Sequence, residues 1–208
     1  MMGKARTVAQ KGVRALGRPM GFDPEEALGK ALRVFWERGY EGASLTDLTK
    51  AMGINRPSLY ATFGNKEELF RKVLDRYTAG TTSYFQEALR EPNARAAVEK
   101  LLMSAAEALQ TPGEPHGCLL VQGALVCGSE SEAVRGELGV RRAAAETQIR
   151  ERLERARAEG DLPAGAEPAE LASFFTTVLN GMSVQASGGA SRETLRGIAG
   201  RAMAAWGG

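Results

Sequence analysis

Residues 44–70 read SLTDLTKAMGINRPSLYATFGNKEELF and contain several signals for helix starts and helix ends. Ser44 and Asp47 match a capping box, in which a hydroxyl and a carboxylate three residues apart each accept a backbone N–H at a helix start. Gly53 favours the left-handed conformation that ends a helix sharply, and Gly64 ends the helix that follows. The stretch therefore predicts two short helices around a glycine turn, with a third helix beginning behind them.

The second of these helices is the candidate reading helix. Asn55 caps it, and Pro57 is tolerated because the first turn has no intrahelical N–H bond to lose. Leu59 and Phe63, four residues apart, face inward. The residues that face outward are Arg56, Pro57, Ser58, Tyr60, Ala61 and Thr62. A short exposed helix braced from behind by another helix predicts a helix-turn-helix DNA reader.

Flanking helices complete a three-helix unit around this reader. Asp23 is positioned to cap a preceding helix, which is predicted to stop at Gly39. Asn65 and Glu68 form another cap pair, and the helix that they open is predicted to run to Leu89. The apolar stripe of the preceding helix comprises Leu28, Ala31, Leu32 and Phe35.

The composition of the 208-residue chain is that of a soluble globular protein, with 43% apolar and 25% charged residues. No apolar run reaches the roughly 20 residues of a membrane span. The basic N-terminus lacks the apolar segment of a secretory signal, and two cysteines cannot form a disulfide framework. We therefore expect a cytoplasmic protein that does not contact a membrane.

The charges are distributed unevenly along the chain. Residues 1–77 contain 14 Lys/Arg and 9 Asp/Glu, a net charge of +5, whereas residues 78–208 contain 13 and 16, a net charge of −3. This asymmetry favours a nucleic-acid-binding head on a body that stays off the DNA, with chance scatter of a few charges as the alternative. Residues 1–21 have no acidic residue and are interpreted as a basic flexible arm that grips phosphates or a minor groove, or as a disordered tail.

The later segments all have helical periodicity, so the predicted fold class is all-α. Helices are expected over residues 94–110, 117–128, 131–159 and 168–186, with a last helix after Ser191. The last two helices carry more apolar surface than one body can bury, which favours a homodimer interface; a monomeric helical core is the alternative. The interface candidates are Phe175, Val178, Leu195, Ile198, Ala202 and Trp206.

Residues 39–70, GYEGASLTDLTKAMGINRPSLYATFGNKEELF, resemble the N-terminal motif of the TetR family of bacterial one-component transcriptional regulators. The matching pattern is a Gly-aromatic pair, a Thr/Ser cap, the turn at residues 51–54, and Leu-Tyr-x-x-Phe-x-x-Lys-x-x-Leu at residues 59–69. The resemblance implies a DNA-binding domain at 22–75 and a helical effector-binding and dimerisation domain at 76–208. It further implies a homodimer that binds a near-palindromic double-stranded operator, represses transcription and is released by a small-molecule effector.

The resemblance also implies two phosphate contacts, Tyr60 and Lys66. The chemistry agrees for Lys66, because its ammonium and the free N–H groups of a helix N-terminus together suit one phosphate. The alternatives are a Tyr60 that packs on the helix behind and a Lys66 that is only solvated. Thr46 in the supporting helix is a candidate for a further phosphate bond.

Arg56, Ser58 and Thr62 are the candidates for contacting base edges. Arginine binds guanine O6 and N7 in a bidentate fashion, although Arg56 could equally hold a phosphate. Pro57 and Thr49 depart from the family pattern. Because Pro57 shapes the start of the reading helix, the base preference of the family cannot be transferred to this chain.

The effector is expected to bind between the helices of residues 94–186. Most apolar residues at helical spacing are only core, but a buried amide needs a partner that a ligand can provide. This argument places Gln122 and Asn180 ahead of the other candidates. The full set of pocket candidates is Met103, Leu120, Gln122, Phe174, Phe175, Asn180 and Met182.

Cys118 and Cys127 suggest a thiol-redox-sensing regulator as an alternative. On one helix they would lie roughly 13 Å apart, whereas a disulfide requires Cα atoms within about 7 Å. An enzyme would have to use the single His116, because no metal-ligand cluster or phosphate-binding glycine loop is present. We therefore expect no catalysis, no cofactor and no metal. The other alternative is a helical adaptor that does not bind DNA.

Overall fold

The computed structural model describes residues 21–125 and 131–207. Within these ranges it contains α-helices, no strand, and a 3-10 turn at Ala204–Gly207, which confirms the all-α prediction. The helices are α1 (Pro24–Gly42), α2 (Leu45–Met52), α3 (Arg56–Phe63), α4 (Lys66–Leu89), α5 (Ala94–Ala108), α6 (Leu119–Leu125), α7 (Glu132–Ala158), α8 (Pro168–Ser187) and α9 (Arg192–Met203). Residues 1–20 of the predicted arm, residues 126–128 of the predicted 117–128 helix, and therefore Cys127, lie outside the described residues.

Reciprocal capping bonds define the helix starts in the head, which comprises residues 22–75. The Ser44 hydroxyl accepts the Asp47 N–H at 3.1 Å, and the Asp47 carboxylate accepts the Ser44 N–H at 3.2 Å. Asn65 and Glu68 repeat the arrangement at 2.9 Å and 2.8 Å. Both predicted capping pairs are therefore confirmed, and each satisfies backbone donors that a helix start leaves without an intrahelical partner.

Glycines with positive φ end the short helices of the head. Gly53, at φ 71°, closes α2, and Gly64, at φ 82°, closes α3. Gly39, at φ 69°, interrupts α1 rather than ending it. Tyr40 follows directly, and its ring stacks 6.2 Å from that of Phe35.

Phe35 lies in the centre of the head core and is 0% exposed. Its ring meets that of Phe70 edge-on at a centroid distance of 4.8 Å. Leu119, Val134 and Leu138, from α6 and α7, belong to the same buried cluster. The head therefore packs on α6 and α7. These helices belong to the body, which we define as the described residues from 76 to 207.

The remaining helices of the body enclose a second core. Phe175 is fully buried in it, and its ring lies 5.9 Å from that of Trp206. Arg152 of α7 is buried and donates to the Glu91 carbonyl at 3.1 Å, which ties α7 to the turn between α4 and α5. No helix in the described part of the chain is long and apolar enough to cross a membrane.

Arginines on both sides join the head to the body. Arg141 of α7 donates to the Asp75 carboxylate at 2.7 Å, and Arg33 of α1 donates to the Gly113 carbonyl at 2.8 Å. Exposed contacts of this kind each contribute little to stability. They nevertheless fix the orientation of α1 and α4 against the body.

Candidate DNA-reading surface and central cavity

Helix α3 buries one face and exposes the other, as the spacing predicts. Leu59 and Phe63 are buried in the head core. Arg56, Pro57 and Ala61 are exposed, as is Tyr60 at 49%, while Ser58 and Thr62 are half-buried. Because a large aromatic residue that packed on the helix behind would be buried, this exposure argues against the packing alternative for Tyr60.

A side-chain hydrogen bond connects the reading helix to its support. The Arg56 guanidinium donates to the Thr46 hydroxyl at 3.0 Å, so the two residues form one polar site across α2 and α3. A guanidinium has five N–H donors. One bond to Thr46 therefore leaves donors that can reach a base edge or a phosphate.

Lys66 lies at the first position of α4, but its side chain folds back onto the head. The ammonium sits 4.5 Å from the centroid of the Tyr40 ring, a cation–π contact. Burial lowers the pKa of Lys66 from its usual value, and the nearby Glu41 carboxylate opposes that shift. The sequence prediction did not name Tyr40 as a neighbour of this lysine, although it is the aromatic residue of the Gly-aromatic pair at the start of the motif.

A cavity of about 230 Å³, the central cavity, opens between the head and the body. Its walls come from α1, α4, α5, α6, α7 and α8 and are mostly apolar or aromatic. The lining includes Trp36, Tyr77, Tyr84, Phe85, Leu109, Cys118, Leu120, Val121, Arg141, Arg142, Gln148, Ile149, Thr176, Leu179, Asn180 and Ser183.

Two polar atoms in this lining are buried without a hydrogen-bond partner among the described residues. They are the indole Nε1 of Trp36 and the hydroxyl of Thr176. Burial raises the pKa of Tyr84, and the neighbouring Cys118 adds to that shift. The Tyr77 hydroxyl accepts the Leu119 N–H at 3.4 Å, and burial raises its pKa as well.

A shallow groove runs between α8 and α9 on the outside of the body. Phe174, which is 40% exposed, forms part of it. The residues along the groove are Phe174, Val178, Thr194, Gly197, Ile198, Arg201 and Ala202.

Comparison with known families identifies both parts of the chain. Residues 27–73 match the model of bacterial regulatory proteins of the tetR family, and residues 92–196 match the tetracyclin repressor-like C-terminal domain. The chain belongs to the TetR family. The resemblance seen in residues 39–70 is therefore confirmed, and it extends to the body.

Individual relatives agree with this assignment. The HTH-type transcriptional repressor ComR of Escherichia coli is 35% identical over 195 residues, which cover 93% of each chain. The HTH-type transcriptional repressor BdcR of the same organism is 33% identical over 190 residues, which cover 90% of this chain and 91% of BdcR. A cysteine mutant of the TetR family regulator CifR, complexed with 26-bp double-strand operator DNA, has 46% identity and a TM-score of 0.88. The match covers 91% of this chain and 100% of the CifR chain. This TetR-family chain is thus a DNA-binding transcriptional regulator and not an enzyme.

The central cavity is lined by few of the predicted pocket residues. Of the seven candidates, only Leu120 and Asn180 line it. Gln122 donates instead to the His116 carbonyl at 2.8 Å, so its amide already has a partner. The other four lie elsewhere: Phe175 and Met182 are 0% exposed in the body core, Met103 packs against that core, and Phe174 faces the outer groove.

The six predicted interface residues divide between the outer groove and the body core. Val178, Ile198 and Ala202 line the outer groove between α8 and α9. The other three candidates, Phe175, Leu195 and Trp206, are buried within the protomer. On α8 and α9, one side of each apolar stripe completes the body core and only the other side faces outward.

Sequence reasoning missed the two residues with unpartnered polar atoms at the cavity. Trp36 lies four residues after Leu32 and so extends the apolar stripe of α1, which was interpreted only as head core. Thr176 gave no signal, because a threonine beside Phe174 and Phe175 reads as an interruption of an apolar helix. Cys118 does line the cavity, and the described residues contain no group of metal-ligating side chains.

Proposed function

We propose that this TetR-family chain is a transcriptional repressor that binds a near-palindromic operator as a homodimer and releases it when a small molecule occupies the central cavity. The observation that carries the proposal is the position of the cavity. Part of its lining belongs to α1 of the DNA-reading head, and another part belongs to α8, which also borders the outer groove. ComR and BdcR, which are repressors, support the direction of control.

On the DNA side, Tyr60 and Lys66 hold phosphates, and the Arg56–Thr46 pair contacts the edge of a base or the adjacent backbone. Tyr60 has the exposure that such a contact needs. The Lys66 ammonium leaves the Tyr40 ring to meet a phosphate, and the lowered cost of dehydrating a half-buried ammonium assists that exchange. Ser58, Thr62 and the ring of Pro57 complete the surface against the groove.

A gel shift with the DNA upstream of the chain's own gene tests the DNA contacts. We expect Lys66→Ala to weaken specific and nonspecific binding alike and to reduce the salt slope by about 1. Arg56→Ala should cost roughly 1–3 kcal/mol of discrimination at one base position. Arg95→Ala is the matched control, because it removes the same charge from an exposed position on α5.

Equal weakening of specific and nonspecific DNA by Arg56→Ala would reduce Arg56 to a phosphate contact. A chain that binds no DNA at all would favour the helical adaptor instead.

The dimer is assigned to the outer groove between α8 and α9. Two copies should place their reading helices about one turn of DNA, ~34 Å, apart or somewhat more. Ile198→Glu adds a charge to the groove, so we expect sedimentation to show a shift towards monomer and the gel shift to show loss of operator binding. Val140→Glu, at an exposed apolar residue of α7, serves as the control for adding a surface charge.

Effector release is proposed to be a population shift. Occupation of the cavity favours a body conformation that holds the two reading helices at the wrong separation. A panel of small molecules titrated into the operator complex tests this proposal, and it fails if none alters operator affinity.

Thiol sensing stays a second candidate because Cys118 lines the cavity. Free-thiol titration under peroxide, measured beside DNA release, tests it, with Cys118→Ser and Cys127→Ser compared. Release that persists in both variants removes the cysteines from the mechanism.

A further inference from the structure

We propose that the central cavity takes a neutral, compact, largely apolar molecule bearing an oxygen acceptor, and that this oxygen accepts the Trp36 indole N–H, so that the DNA-reading head contacts the effector directly. The inference rests on the proposed effector role of the cavity and adds the chemical class of the ligand and the residue that detects it.

Trp36 provides the first observation. Its Nε1 is buried and has no partner among the described residues, although more than nine in ten buried polar groups in native proteins are hydrogen-bonded. The ring is held in place, because it meets Tyr77 edge-on at 4.9 Å with an interplanar angle of 82°. Because Trp36 lines the cavity, we assign this unpartnered N–H as the binding point for an acceptor atom of the ligand.

Thr176 of α8, which also lines the cavity, provides a second, independent observation. Its hydroxyl is also unpartnered among the described residues, and the residue is only 9% exposed. A hydroxyl both donates and accepts. The cavity therefore offers two unused polar groups, one from α1 and one from α8, and neither carries a charge.

The charged residues at the cavity already have oxygen partners. Arg141 donates to the carboxylates of Asp75 and Glu137 at 2.7 Å and 2.8 Å, and Arg142 donates to the Leu120 carbonyl at 3.3 Å. No Asp or Glu is among the lining residues. A cation would find no carboxylate in this lining, and an anion at Arg141 would compete with the two carboxylates that this arginine already contacts. We therefore infer a neutral ligand, and the anionic probe below tests whether Arg142, with its one bond to a carbonyl, attracts an anion instead.

The size and shape of the cavity restrict the ligand further. An apolar cavity of about 150 Å³ binds benzene, so 230 Å³ admits one ring with a short substituent. Trp36, Tyr77, Tyr84 and Phe85 give the cavity aromatic walls, which favour a flat ring through stacked or edge-on contacts.

Trp36 also gives the occupant a route to the DNA surface. The preceding residue, Phe35, is fully buried in the head core against Phe70. A ligand that draws the indole towards the cavity therefore moves α1 within that core. Cores of this kind are close-packed, so they transmit such a displacement rather than absorb it.

Three probes of similar size test the ligand class: acetophenone, which has an oxygen acceptor, ethylbenzene, which lacks one, and benzoate, which is anionic. Calorimetric titration of the full chain is expected to show about tenfold tighter binding of acetophenone than of ethylbenzene, as one hydrogen bond to a buried donor implies. Benzoate is expected to bind more weakly than either. Tighter binding of benzoate, equal binding of the two neutral probes, or binding of none overturns the proposal.

Trp36→Phe removes the N–H and keeps an aromatic ring, so the preference for acetophenone over ethylbenzene should disappear while ethylbenzene still binds. Thr176→Val is the second variant and should reduce the same preference. Trp206→Phe, in the other core, is the matched control and leaves Trp36 as the only tryptophan, whose fluorescence should change on adding acetophenone. An unchanged preference in Trp36→Phe overturns the assignment of this donor.

The ratio of operator affinities with and without acetophenone separates this inference from the proposed function. If acetophenone binds through Trp36 but leaves the ratio at one for the wild-type chain, the ligand site stands and effector release fails. If another molecule releases the operator equally well from wild type and Trp36→Phe, the proposed function stands and this inference fails.

Discussion

The head and the body are held in shape by contacts of different range. In the head, Ser44–Asp47 and Asn65–Glu68 are pairs only three residues apart. In the body, Gln110 donates to the Ala190 carbonyl at 2.8 Å across 80 positions of the chain. The helix starts on either side of the reading helix are thus determined within short segments, whereas this contact of the body depends on how distant segments meet. A ligand between body helices can therefore alter the placement of a head without unfolding it.

The largest expected effect tests whether the two regions are separate at all. Phe35→Ala in the head core and Phe175→Ala in the body core should each cost about 3–5 kcal/mol of unfolding free energy, because each empties a fully buried site. Trp36 packs against the head cluster and Trp206 belongs to the body cluster. Urea unfolding followed by each tryptophan, in backgrounds where the other is replaced by Phe, measures both regions.

We expect Phe35→Ala to shift both fluorescence transitions together, since Leu119 and Leu138 of the body share its cluster. A shift confined to the Trp36 transition would show that the head unfolds as a unit of its own.

The short range of the head contacts also explains why the head could be predicted. Each cap depends only on a pair of residues close in sequence, such as Asn65 and Glu68. The inward orientation of Leu59 and Phe63 follows from their helical spacing. The contact between Lys66 and Tyr40 could not be predicted, because it spans the interruption at Gly39 and depends on how α1 bends.

The sequence predicts a pocket between the helices of residues 94–186, whereas the central cavity also takes walls from α1 and α4. Its walls come from six helices, and a period shows which positions on a helix are apolar, not which neighbour they face. Met182 and Leu179 both belong to the apolar surface of α8. Met182 is nevertheless buried in the body core, whereas Leu179 lines the cavity. Trp36 belongs to a helix that was assigned wholly to the head.

The next largest effect compares two glycines that hold sharp turns. Gly64, at φ 82° and ψ −150°, and Gly117, at φ 86°, occupy conformations that other residues rarely adopt. A Cβ would clash with the Glu68 carboxylate in the head, and with the Ser183 carbonyl at 2.9 Å in the body. Gly64→Ala and Gly117→Ala should each cost about 1–3 kcal/mol, measured by thermal unfolding.

Gly53→Ala is the control for the conformational part alone, because a Cβ there meets no described heavy atom within 4 Å. We expect Gly64→Ala to weaken operator binding, because it displaces the cap of α4, and Gly117→Ala to weaken cavity ligands. The reverse pattern would contradict the division of roles between head and body.

A smaller effect is expected at the cap of α2. Ser44→Ala should cost about 1 kcal/mol of unfolding free energy, measured by urea titration at neutral pH. The Ser44 hydroxyl, more than any other group, holds the pKa of Asp47 below its ordinary value of 3.8. A depressed carboxylate pKa stabilises the fold above the ordinary value, and this contribution is lost as the pH falls through the folded-state pKa.

The penalty of Ser44→Ala should therefore shrink as the pH is lowered below 3.8. Ser191→Ala removes the cap of α9 in the body, where the Ser191 hydroxyl bonds the N–H and the hydroxyl of Thr194 and no carboxylate among the described residues. Its penalty should not change with pH in this way. A penalty at Ser44 that is constant with pH would mean that the hydroxyl acts on the backbone alone.

The smallest effect concerns α4, which runs from the head into the body. Gly80 lies in its exposed middle, and a Cβ there meets no described heavy atom within 4 Å. Gly80→Ala should raise the unfolding free energy by about 0.4–1 kcal/mol, because alanine reduces the freedom of the unfolded chain without strain in the helix. Gly136→Ala makes the same exchange in α7, which lies wholly in the body. If α4 transmits the state of the cavity, Gly80→Ala alone should also change the effector concentration needed for release. Equal behaviour of the two variants would contradict transmission through α4.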